Sequence, residues 1–130
     1  MVKRKDVYYY LLKSFENLGY KVNDKYQESL QPGECVIVVD HIDVEQTSNM
    51  SYYVMVYYKI IFEMQDPSEL VYEIIRIIQN TQDFIEKSAG EVCTSFKYGQ
   101  PYTDNNHFGN TIRVELPADT KMYVNIYQEE

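Results

Sequence analysis

Residues 50–64 constrain what this chain can fold into more than any other stretch. Every even position is apolar or aromatic: Met50, Tyr52, Val54, Val56, Tyr58, Ile60, Phe62 and Met64. The odd positions are Ser51, Tyr53, Met55, Tyr57, Lys59, Ile61 and Glu63. Successive side chains of a strand point to opposite faces, so this alternation predicts a long strand with one buried and one mixed face. Asp66-Pro67-Ser68-Glu69 comes next. Asp66 is placed to accept hydrogen bonds from the free N–H groups of a first helical turn. Pro67 suits the first helical position, and Glu69 completes a capping box. Leu70, Val71, Ile74, Ile75, Ile78 and Ile85 then recur at helical spacing, with Lys87 in the last turn and Gly90 set for a left-handed cap. Two apolar faces, adjacent in sequence, are both buried when the helix lies across the sheet.

The remaining elements fall around this unit. A first helix is expected from Lys5 to Leu18, with Val7, Leu11, Phe15 and Leu18 as its stripe, Tyr8 and Leu12 widening it, and Gly19 ending it. Tyr20-Lys21-Val22 reads as a short extended piece at a sheet edge. Pro32-Gly33 is a turn. Cys35 to Val39 is wholly apolar, which predicts a strand covered on both faces. In its extension, Ile42 and Val44 take one face while His41, Asp43 and Glu45 take the other. Gln46-Thr47-Ser48-Asn49 is the polar tip of a hairpin. Glu91 to Tyr98 alternates again, Gly99 to Gly109 reads as a polar loop, Asn110 to Leu116 as a strand, Pro117-Ala118-Asp119-Thr120 as a turn, and Lys121 to Gln128 as a closing strand. The order α-(β)-β-β-α-β-β-β defines a single α+β domain over residues 1–130, a mostly antiparallel sheet with two helices packed against it. The segments 41–50 and 99–109 are expected to be mobile or contact-making loops.

Composition narrows the functional classes. A net charge of −8 disfavours a protein that coats nucleic acid, which needs a positive footprint. No apolar run reaches the roughly 20 residues of a membrane helix. The basic start, Met1 to Asp6, precedes no apolar signal core, which speaks against export. Cys35 and Cys93 lie far apart and read as a reduced pair outside any metal motif. Tyrosine is unusually frequent, at 14 with no tryptophan. In Tyr52-Tyr53 and Tyr57-Tyr58, neighbours face opposite ways, so half of them must meet solvent or another chain. Tyrosine concentrates at interfaces because it is amphipathic and loses little entropy when ordered, but it is also a good strand former.

Catalytic chemistry finds little support. There is no glycine-rich phosphate loop. His41, Asp43 and Glu45 share a strand face that a divalent ion can bridge, yet a polar face beside a hairpin tip is ordinary. Cys35 and His41 share strand parity but are separated by about 20 Å of extended chain. Cys93 with His107 matches no nucleophile signature. Asp40, Asp43, Glu45 and Glu63 read as solvated surface in so acidic a chain. The expectation is a non-enzymatic scaffold without cofactor or metal, whose product is an interface.

Several of these stretches resemble the tail terminator proteins of long-tailed bacteriophages and phage-like particles. The resemblance rests on the opening helix Val7-Tyr8-Tyr9-Tyr10-Leu11-Leu12-Lys13-Ser14-Phe15, the strand Pro32-Gly33-Glu34-Cys35-Val36-Ile37-Val38-Val39 and the long strand Tyr52-Tyr53-Val54-Met55-Val56-Tyr57-Tyr58. It continues in the helix start Asp66-Pro67-Ser68-Glu69-Leu70 and the final strand Met122-Tyr123-Val124-Asn125-Ile126-Tyr127. It is a likeness of pattern over nearly the whole chain. It implies a homo-hexameric ring at the head-proximal end of the tail tube, which ends tube polymerisation and docks the tail to the head. The implied partners are further copies of itself, the major tail tube protein and a neck or head completion protein. DNA would pass the acidic lumen without specific binding, and no membrane is involved. The implied location is the virion tail, after assembly in the host cytoplasm. In that setting Tyr53, Met55 and Tyr57 are the candidate subunit interface, unless the first helix covers them. His41, Asp43, Glu45, Asn49, Tyr102, Asp104, Asn105 and His107 are candidate contacts to tube or neck. Two other readings stand beside it: a head-tail completion protein of the neck, and a small acidic binding or inhibitor protein.

Overall fold

The computed structural model describes residues 7–23, 25, 30–88, 95–106 and 111–125. Its elements are α1 (Val7–Asn17), β1 (Lys21–Asn23), β2 (Glu34–Gln46), β3 (Ser51–Met64), a single 3-10 turn (Pro67–Glu69) leading into α2 (Leu70–Ser88), β4 (Ser95–Tyr98), β5 (Tyr102–Asn106) and β6 (Thr111–Asn125). The sheet order is β1-β2-β3-β6-β4, with β5 also paired to β6. Among the described residues only the β1–β2 pair is parallel, and the other pairs are antiparallel. This is an α+β fold with two helices on one face of a six-stranded sheet.

The Gly19 stop and the Asp66 start act as the sequence suggests. Val7, Leu11 and Phe15 are fully buried, and the buried Ser14 hydroxyl donates to Leu11 O (2.7 Å). Gly19 reverses the chain at φ 95°, a conformation open to glycine without strain, and the Tyr20 N–H returns to Phe15 O (3.1 Å). This folds Tyr20 edge-on against Phe15 and Phe62. At the start of the second helical unit Asp66 Oδ1 accepts from the Ser68 N–H (3.0 Å) and hydroxyl (2.8 Å). The anticipated Gly90 cap lies outside the described residues.

The buried face of α2 is rotated from the expected one. Ile77, Thr81 and Ile85 are buried and Leu70, Ile74 and Ile78 are half-buried, whereas Val71, Tyr72 and Ile75 are exposed. Helical periodicity alone leaves two overlapping stripes here, and contact with α1 and β4 selects one. Thr81 enters the core because its hydroxyl donates to Ile77 O (2.6 Å) and also bonds the hydroxyl of Tyr98.

The C-terminal third differs most from expectation. The stretch read as a loop, 99–109, contains β5, paired from Tyr102↔Glu115 to Asn106↔Thr111. The expected turn at Pro117–Thr120 does not exist; β6 runs straight through it. The physical reason lies at Pro117. A residue's N–H and C=O leave an extended strand on the same side, and Pro117 O accepts from the Gly99 N–H (2.9 Å). The missing proline N–H therefore points to the outer side of β6, into the gap between β5 and β4, and not toward β3. The element count matches the sequence reading because one unforeseen strand offsets two that merged.

The main core lies between the helices and one sheet face, built on Ile60, Phe62, Val114 and Leu116 with Cys35 and Ile37. A smaller cluster of Leu30, Val36 and Ile61 covers the other face at one end, so the start of β2 is buried on both sides as its apolar run implies.

Leu116→Ala should cost about 2–5 kcal/mol by leaving a cavity. Thr81→Val should cost about 1–3 kcal/mol by stranding the buried Tyr98 hydroxyl. Val71→Ser should stay within about 0.5 kcal/mol. Urea denaturation followed by circular dichroism measures all three. A second expectation concerns pH. The bonds from Ser68 hold the Asp66 carboxyl below its ordinary value. A carboxylate depressed in the folded state stabilises above its unfolded pKa and loses that contribution as pH falls through the folded one. Asp66→Asn keeps an acceptor but does not titrate, so it should lose less stability than the parent between about pH 6 and about pH 3.

Candidate interaction surface

The two strands of the β2–β3 hairpin outrun the helices. At about 3.3 Å per residue, the 13 residues of β2 span about 43 Å; at about 1.5 Å per residue, the 19 residues of α2 span about 28 Å. On the helix side of β2, Cys35 and Ile37 are buried, but Val39, Ile42 and Val44 are 49%, 55% and 63% exposed. Helix α1 reaches Tyr58, the cross-strand partner of Val39, through Tyr8; in the next row Val56, Thr120 and Phe96 are still buried, so it is β2 that stands uncovered. Beyond the Tyr58 row β2, β3 and β6 form an arm, flanked at its base by Ser95–Lys97 of β4 and ending at a hairpin tip, where the Thr47 N–H and hydroxyl both donate to Ser51 O (3.0 and 3.2 Å).

A bulge controls which side chains reach which face of the arm. The β2–β3 register shifts between Val39 and His41, so Asp40 is the extra residue. Val39↔Tyr58 and Ile42↔Val56 then both lie on the helix side, while His41↔Tyr57, Asp43↔Met55 and Glu45↔Tyr53 lie on the opposite face. The parity that put Cys35 and His41 on one face is thereby overturned. Cys35 is buried among apolar groups, which push its thiol up to about 12, and it faces away from His41.

The face opposite the helices is polar-aromatic and internally bonded. His41 stacks on Tyr57 with ring centroids 4.1 Å apart, and its Nδ1 lies 2.8 Å from Asp40 Oδ2. Asp40 also meets Lys59 Nζ at 3.7 Å. The His41 hydrogen bond is the main reason the Asp40 carboxyl sits below its ordinary value. Nearer the tip, Lys121 Nζ lies 4.2 Å from the Tyr53 ring centroid, and Tyr53 packs edgewise on Tyr123. The Tyr123 hydroxyl bonds Ser51 Oγ (2.8 Å), and Asn125 Nδ2 donates to both oxygens (3.3 and 3.4 Å).

The expected contact residues separate into two groups. His41, Asp43 and Glu45 are exposed on β2 and Asn49 is exposed at the tip, so 41–46 is strand and only the tip is loop. Tyr102 and Asp104 are exposed on β5 and Asn105 belongs to the same strand, at the far end and opposite edge of the sheet. His107 lies outside the described residues. Tyr53, Met55 and Tyr57 are half-buried on the arm's polar-aromatic face. Glu63 does not join Asp40, Asp43 and Glu45. It is buried at the other end of β3, where Oε1 accepts from the Thr111 hydroxyl (3.1 Å). Among the described residues no group of three His, Cys, Asp or Glu is arranged to hold a metal. No described helix is long and apolar enough to cross a membrane.

The sequence reading missed the exposure of Val39, Ile42 and Val44, although the length mismatch between β2 and the helices is already visible in the chain. A scan against protein-family models finds no match, and neither does a search of curated proteins.

The pair Ile42→Thr with Val44→Thr should leave the urea midpoint nearly unchanged, because both sites already face water and Thr keeps the strand preference. Ile37→Thr in the same strand should cost about 2 kcal/mol or more by placing a hydroxyl in the core. Equal effects at both sites would contradict an uncovered arm.

Proposed function

We propose that this chain is a structural protein of a phage or phage-like tail, forming a ring that ends the tail tube at its head-proximal end and docks the tail to the head. The observation that carries this reading is the arm: a long hairpin whose β2 has exposed aliphatic side chains on the helix side, and whose opposite face carries ordered tyrosines. An isolated domain gains nothing from leaving Val39, Ile42 and Val44 in water, whereas an assembly subunit needs such a surface. The net charge of −8 suits a lumen through which DNA slides. The resemblance noted above supplies the particular place in the tail. The partners are then other copies of the chain, the tube protein and a neck protein. No cofactor takes part.

Electron microscopy of particles lacking this gene tests the proposal. Overlong, headless tails are expected. Filled heads beside tails of normal length would move the chain to neck joining. Intact particles would overturn both and favour an acidic binding protein. At the residue level, Tyr57→Asp should retain the fold but block assembly; unchanged assembly would remove the Tyr53, Met55 and Tyr57 face from the contact.

A further inference from the structure

The outer edge of β2 is paired only at Glu34, Cys35 and Val36, where β1 lies alongside. From Ile37 to Gln46 that edge has no partner strand among the described residues. A long open edge is a template for another strand. At the opposite side of the sheet β4 is also an edge strand among the described residues.

These two edges fit each other in polarity, height and charge. β2, β3, β6 and β4 alternate in direction, so β4 runs antiparallel to β2. A second copy shifted sideways in the same orientation therefore brings its β2 antiparallel to the first copy's β4, with all helices on one side. The heights agree as well. His41, Tyr57, Asp119 and Lys97 form one row across the sheet, and Ile42, Val56, Thr120 and Phe96 form the adjacent one. The row residues of β4 thus arrive beside the uncovered part of β2, Phe96 on the same side as Ile42. Charge agrees too. Lys97, Asp43 and Glu45 are all exposed on the face away from the helices and belong to none of the described ion pairs. Two β2 edges brought together would instead oppose acid to acid, which is unfavourable across a ladder.

We infer that copies of this chain associate head-to-tail by edge pairing, β4 of one copy adding to β2 of the next, in one continuous antiparallel sheet. Such a contact joins two different surfaces, so it closes into a ring if the rotation per copy permits. The bulge at Asp40 and the acidic side chains guard this edge against indiscriminate pairing and favour a strand that carries Lys97. The inference deepens the ring reading above and depends on it for closure, but not for the pairing itself.

Full-length chain carrying Cys93→Ser receives His41→Cys and Lys97→Cys, singly and together, and is oxidised at high concentration; circular dichroism verifies the fold. The double variant should give a ladder of covalent multimers, while each single variant stays monomeric. Dimers from His41→Cys alone would show β2-to-β2 pairing and overturn the inference, as would monomer in every variant. Without added cysteines, chemical cross-linking should fall about fivefold in Lys97→Glu and recover when Asp43→Lys is added; absence of recovery also counts against it. A ladder combined with intact particles in the gene deletion retires the tail reading and keeps the edge contact. Overlong tails without a ladder retire only the edge contact.

Discussion

The fold depends on one ladder. β3 and β6 pair without interruption from Ser51↔Asn125 to Met64↔Ile112. Everything else attaches to this two-stranded ribbon: β2 and β1 on one side, β5 and β4 end to end on the other, and the helices across one face. A ribbon alone is marginal in water, and its stability comes from the apolar even positions of β3 and β6 meeting Val7, Leu11, Phe15, Ile77 and Ile85. Pro117 shows how strictly the ladder is kept. Its missing donor falls where β5 has ended and β4 has not begun, so the pairing to β3 is undisturbed.

The ladder is longer than the helices that cover it, and function is read from that difference. Where α1 and α2 lie, side chains on both helix and sheet reach full burial. Past Tyr58 the alternation continues on β2 without cover, while Val56 of β3 stays buried. The arm is ordered by its own cross-strand contacts, including the His41–Tyr57 stack, the Lys121–Tyr53 contact and the Ser51–Tyr123–Asn125 bonds. One face is thus stiffened by polar-aromatic pairing while the other offers Val39, Ile42 and Val44 to solvent. A rigid element with an uncovered apolar face is suited to docking because little ordering entropy remains to be lost.

Much of the fold was legible in the chain, and the failures have identifiable causes. Period-two alternation located β3 almost to the residue, and Asp66-Pro67-Ser68 located the start of α2. The two stripes of α2 were not separable, because Val71–Ile75 and Ile74–Ile77 both satisfy helical spacing. Pro117 and Asp119 carry turn chemistry that a favourable sheet context overrode, and the polar Tyr102-Thr103-Asp104 segment lacks the apolar alternation that marks a strand. The site was legible in part. The tyrosine pairs pointed to the arm, but the bulge at Asp40 leaves no mark in hydrophobic pattern and reassigns every side chain beyond it.

The sequence by itself determined the elements whose signals are local: two helices, the Gly19 stop of the first and the Asp66 start of the second, a long central strand, an apolar strand before it, and an acidic surface. Only the tertiary structure decided which face of α2 is buried, that β6 is a single strand, and which side chains of β2 stand uncovered. The physical reason is common to all three. Local periodicity states which residues can share a face, but burial depends on what lies opposite, and that is set by the register of the ladder and the reach of the helices across it.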